Sequence, residues 1–170
     1  VKPGDYFNAS KNLKIEFLGI PHSTPHTALL AIHTKQGIVL YATDWKFDNN
    51  PIVGQKPDYK RLKELGNMGV RAMIVDSLYS KDNIKTPSES IARELLKDVL
   101  LGTDNDGTAI ITSCFASHIA RLKSIIEFGK KLNRKVVILG RSFMRYIDAA
   151  ETAGLTKISN KQKYWDIEMR

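Results

Sequence analysis

The spacing of apolar residues changes part-way along the chain, and that change limits the fold more than any other feature. Over 13–18, Leu, Ile and Phe alternate with Lys and Glu, a period of two that predicts a half-buried strand. Two largely apolar runs, 28–34 and 38–42, flank Lys35-Gln36-Gly37 and predict a hairpin. The stretch 48–57 holds Asn49, Asn50, Pro51, Gly54 and Pro57, which is loop chemistry. Beyond it, helical and strand patterns alternate. A short amphipathic helix over 58–65 ends at Gly66, and a buried strand over 70–75 stops at Asp76. Thr86-Pro87-Ser88-Glu89 predicts a capping box, with Thr86 as N-cap and Glu89 reaching back, opening a helix that runs to Leu101. Strands over 108–113 and 135–139 precede helices over 117–132 and 142–153, the last closed by Gly154. Such β-α-β repetition predicts an α/β fold with parallel strands. The polar stretch 80–85 divides the chain into two units, 1–80 and 81–170.

A hydrophobic content of 42% in 170 residues is enough to build a core. The balance of 26 Lys and Arg against 18 Asp and Glu gives a net charge of +8, which favours anionic partners, phosphate backbones and acidic membranes alike. Part of that charge, at Lys56, Lys60, Arg61 and Lys63, reads equally as a solvated helix face. The single cysteine, Cys114, excludes an intrachain disulfide and fits a cytoplasmic setting. No apolar run is long enough to span a membrane, so no membrane partner is expected. The chain opens at Val1 rather than Met, which suggests an excised piece, a proteolytic product or a processed chain.

Chemistry-bearing residues fall at strand ends. His22 follows the first apolar strand, and Asp44 follows the hairpin. An imidazole and a carboxylate so placed suit zinc or manganese, although a His beside Pro21 also serves as a plain turn residue. Asp76 ends a strand where α/β sheets carry functional side chains, or simply caps its turn. Ser117, His118 and Arg121 lie where a strand hands over to a helix, and Arg141 and Ser142 repeat that arrangement. Free amides there favour an anion, and ordinary capping by Ser117 and Ser142 is the alternative. No Walker-type glycine loop supports nucleoside triphosphate binding. Cys114 reads as a small core residue. Trp45 and Phe47 either pack the hairpin or stack a base, and packing is the expectation.

As a set, Pro21-His22-Ser23-Thr24-Pro25, Ala42-Thr43-Asp44-Trp45-Lys46-Phe47-Asp48, Val75-Asp76-Ser77, Thr86-Pro87-Ser88-Glu89 and Phe115-Ala116-Ser117-His118 occur in the order seen in ribonuclease J proteins. The chain thus resembles the metallo-β-lactamase/β-CASP class of ribonuclease, nearest its archaeal ribonuclease J members. Thr43 stands where the family's segment carries Gly. The resemblance implies part of a metallo-β-lactamase αββα core followed by the first part of a parallel α/β β-CASP domain. It implies a zinc-dependent enzyme that hydrolyses RNA phosphodiester bonds, as a 5′-to-3′ exonuclease, an endonuclease or both. His22 would be a metal ligand, Asp44 would bridge two zinc ions, and Asp76 would orient the site. Ser117, His118, Arg121, Arg141 and Ser142 would contact single-stranded RNA. It further implies that a His-x-His-x-Asp-His segment belongs ahead of Val1 and later His motifs beyond Arg170, so that this piece is inactive alone. A homodimer of the longer protein stays open. The competing readings are a non-catalytic RNA-binding module and a small-molecule hydrolase, and the β-α-β segment after Thr86 argues against the second.

Overall fold

A computed structural model describes residues 1–158; the end of the second expected unit, 159–170, lies outside the described residues. The described residues divide into two compact units, one holding 1–22 and 26–87, the other 23–25 and 88–158.

The first unit is a five-stranded sheet in the order β1-β2-β3-β4-β5, formed by β1 (Tyr6–Ser10), β2 (Leu13–Gly19), β3 (Ala28–Thr34), β4 (Gly37–Ala42) and β5 (Val70–Val75), with α1 (Tyr59–Gly69) connecting the last two. β1 to β4 are an antiparallel meander, and β5 joins β4 in parallel with Ala42 opposite Val75. One sheet face buries Leu18, Leu29, Ala31, Ile38 and Ala42 against Leu65 of α1, with Leu62 beside them. Asp58 starts that helix, its carboxylate accepting from the Arg61 amide at 2.9 Å.

Three details differ from expectation. β1 carries no apolar alternation and is exposed throughout, so only its pairing to β2 reveals it. β5 is an exposed strand, not a buried one: all six of its residues are exposed, and among the described residues it pairs only with β4. Glu16 does not face solvent. It shares the buried face with Leu18 and is 2% exposed. Its carboxylate receives Arg61 Nε at 2.6 Å and Nη2 at 2.9 Å and lies 2.9 Å from His33 Nε2, which fastens α1 to β2 and β3.

The second unit packs α2 (Glu89–Leu101), α3 (Ile119–Lys131) and α4 (Arg141–Thr152). Ile119, Leu122 and Ile126 of α3 meet Ile138, Ile147 and Ala150 at the spacing of a helix face. A charged seam joins α2 to α3. Glu89 is gripped by Arg121, and Arg93 reaches Ser124 Oγ at 3.0 Å and Glu127 at 2.6 Å. α2 starts later than expected. Its N-cap is Ser88, not Thr86, and the Ser88 hydroxyl accepts from the Ser90 amide at 3.3 Å. The stretches 108–113 and 135–139, expected as parallel strands, carry no strand pairing among the described residues. A short apolar run predicts contact with a core but does not specify a ladder partner.

Candidate functional site

Strand direction decides where the expected site residues fall. β2, β4 and β5 run the same way, since β3 is antiparallel to both β2 and β4, and β5 is parallel to β4. His22 follows β2, Asp44 follows β4 and Asp76 follows β5, so all three leave the sheet at one edge. β4 and β5 are neighbours, and the Asp76 amide donates to the Ala42 carbonyl at 3.3 Å, which sets the two aspartates beyond adjoining strand ends. β2 is two strands from β4, about 10 Å at ordinary strand spacing. His22, Asp44 and Asp76 are all exposed. The Asp76 carboxylate also accepts from the Leu78 amide at 2.8 Å, an Asx turn that fixes the chain as it leaves β5.

The donor types match a zinc or manganese site, but the number gathered does not. Among the described residues, no group of three or more His, Cys, Asp or Glu comes together to hold a metal ion. His22, Asp44 and Asp76 therefore supply an edge of suitable chemistry and not a complete centre.

The second group is split in a different way. His118, not Ser117, is the N-cap of α3, and Gly140, not Ser142, is the N-cap of α4. Neither helix has a side-chain cap bond, so Ser117 and Ser142 do not serve as the caps that would compete with an anion-binding role. Gly140 has φ +118°, a left-handed turn that brings Arg141 and Ser142, both exposed, into the first turn of α4. Arg121 is already occupied. Its Nε and Nη2 donate to the two Glu89 oxygens at 2.8 and 3.0 Å, and that contact raises its pKa. His118 Nε2 lies 3.4 Å from the same carboxylate. Sequence reasoning missed Glu89 as the hub of this cluster, because its capping-box position offered a local explanation. Cys114 is half-buried, and burial pushes its thiol up against the opposing pull of Arg121.

Trp45 and Phe47 do not pack the hairpin as expected. They are 38% and 47% exposed, and they lie edge to face with ring centroids 4.8 Å apart.

Residues 107–169 match the family model described as ribonuclease J, beta-CASP domain. Proteins named ribonuclease J from Pyrococcus abyssi and Methanocaldococcus jannaschii are each 44% identical, over 94% and 91% of this chain. One from Sinorhizobium meliloti is 34% identical over 91%. Along most of its length the chain is similar to ribonuclease J proteins. It spans about a third of the curated ribonuclease J relatives it matches, 35% of the Pyrococcus and 34% of the Methanocaldococcus protein. A crystallised Enterococcus faecalis V583 protein of unknown function shares the fold, with a TM-score of 0.56 and 14% identity over all of this chain and 37% of its own. The residues matched to the ribonuclease J model include α3 and α4, whereas the His22, Asp44 and Asp76 edge lies in the part matched only by whole-protein comparison. No helix among the described residues is long and apolar enough to cross a membrane.

Proposed function

We propose that the longer protein represented by this chain is a zinc-dependent ribonuclease that hydrolyses phosphodiester bonds in single-stranded RNA, acting from the 5′ end, internally or both, in RNA processing and decay. The observation that carries this reading is the shared sheet edge of His22, Asp44 and Asp76 in a chain 44% identical to proteins named ribonuclease J. On this reading His22 and Asp44 contribute donors to a site of two zinc ions and Asp76 orients it, with further ligands supplied by parts of the longer protein. No hydrolytic step is assigned to these residues alone, and the isolated chain is expected to be inactive.

The second unit would hold the RNA. Ser117 and His118 at the start of α3, and Arg141 and Ser142 at the start of α4, offer amides, hydroxyls and cationic groups to phosphates. Arg121 acts one step back on this reading, because its guanidinium is bound to Glu89. Residues 1–80 would be the partial metallo-β-lactamase core, 81–170 the partial β-CASP domain, and the setting cytoplasmic. In the longer protein, Asp44→Ala is expected to abolish RNA cleavage, and a chelator to do the same. Undiminished cleavage by that variant would overturn the proposal. The net charge of +8 favours a second reading, a module that holds RNA without cutting it. Salt-sensitive RNA binding by the longer protein with no cleavage under metal loading would select it.

A further inference from the structure

We propose that Trp45, Phe47 and Tyr59 form a platform on which a base of single-stranded RNA stacks beside the Asp44 edge. This rests on the RNA-binding reading above and assigns it a subsite in the first unit. The three rings form one continuous patch, with Phe47 4.8 Å from Trp45 and 5.7 Å from Tyr59 between ring centroids. All three remain 38% to 47% exposed. Large aromatic surface left in water is disfavoured, so a contiguous exposed patch of this kind marks a binding surface.

The patch is also held in place. Asp48, 3% exposed, accepts from the Asn50 amide at 2.8 Å and lies 3.8 Å from Lys46 Nζ, fixing the chain that carries Trp45 and Phe47. Tyr59 is the first residue of α1, directly after its Asp58 cap. The rings are thus ordered before any ligand arrives, which lowers the entropy cost of stacking on them.

Charge selects the occupant. Arg61 is bound to Glu16 and Glu64 and Lys46 lies beside Asp48, which leaves Lys56, Lys60 and Lys63 exposed in the segment that carries the rings. Aromatic faces interleaved with cationic side chains suit a single strand, whose bases stack and whose phosphates pair with lysines.

The test compares binding of this full chain to a short oligoadenylate and to an abasic ribose-phosphate oligomer of equal length, by fluorescence anisotropy. The unaltered chain should prefer the base-bearing oligomer. Trp45→Ala and Phe47→Ala should each weaken oligoadenylate binding by about fivefold to 150-fold, the range reported for base–aromatic stacking, and leave the abasic oligomer unchanged. Trp45→Phe should restore most of the loss. If the unaltered chain binds both oligomers equally, the platform fails while the RNA-binding reading survives. If it binds neither, both fail. Equal losses on the two oligomers, or a changed oligomeric state without loss of the base preference, would also overturn the platform.

Discussion

Replacing Glu16 with Gln should destabilise the first unit strongly, and by an amount that depends on pH. The carboxylate is 2% exposed and accepts three contacts, two from Arg61 and one at His33. Breaking a buried ion pair by removing one partner costs about 3–5 kcal/mol, because the remaining charge is left uncompensated. Here the Arg61 side chain is 24% exposed and keeps Glu64 at 2.8 Å, which softens the loss. About 3 kcal/mol is the expected penalty, or roughly 12–24 °C in Tm for a unit of this size. The Arg61 guanidinium holds the Glu16 carboxyl below the usual carboxylate range, and Glu16 in turn raises Arg61, which stays cationic at every accessible pH. A depressed acid contributes stability that is complete above its unfolded pKa and lost as pH falls through its lower folded value. Urea unfolding of both proteins from neutral pH downward should therefore show a constant gap above about pH 5 that closes progressively below about pH 4. A gap that widens in acid, or a variant as stable as the parent at neutral pH, would refute the reasoning.

Three smaller perturbations follow from the same structure. Gly37→Ala should cost about 1–3 kcal/mol in thermal unfolding, since Gly37 has φ +122° and an added Cβ would meet Arg71 Cγ. Arg121→Lys cannot reproduce the two-pronged grip on Glu89 and should lower the stability of the second unit by about 1–2 kcal/mol, read from amide exchange in α2 and α3. With its thiol pushed up by burial, Cys114 should react with iodoacetamide at pH 7 far more slowly in the folded chain than after unfolding in urea, as followed by mass spectrometry.

The sequence showed most clearly those elements whose burial follows a simple period. β2 and the β3–β4 hairpin lie close to their expected positions and α1 starts where expected, running on through Gly66 to Gly69, because each presents one apolar face to a common core. Glu16 was illegible for a specific reason. In an alternating strand an acidic residue reads as the solvent side, and its partner Arg61 is 45 positions away. Glu89 was hidden by a plausible local motif, while the contact that decides its role is to Arg121, 32 positions on. β1 offers no apolar alternation, and the exposed β5 is apolar along most of its length. At the candidate site, the strand-end positions of His22, Asp44 and Asp76 and the hairpin that brings His22 and Asp44 to one edge could be read from the sequence, but the place of Asp76 on that edge could not. That depends on strand direction, which no single strand reports.

The parallel junction between β4 and β5 also bears on the order in which the chain assembles. β1 to β4 meet through short hairpin connections, so their pairing closes small loops. β5 reaches β4 only after the whole stretch from 43 to 69 has been gathered, including α1. Contacts between distant positions lose more chain entropy before they gain any pairing, and they form late. Asp76 should thus arrive beside the Ala42 end of β4 as the final event in folding the first unit. The edge that joins the two aspartates should then be the first part of the sheet to open and the last to close.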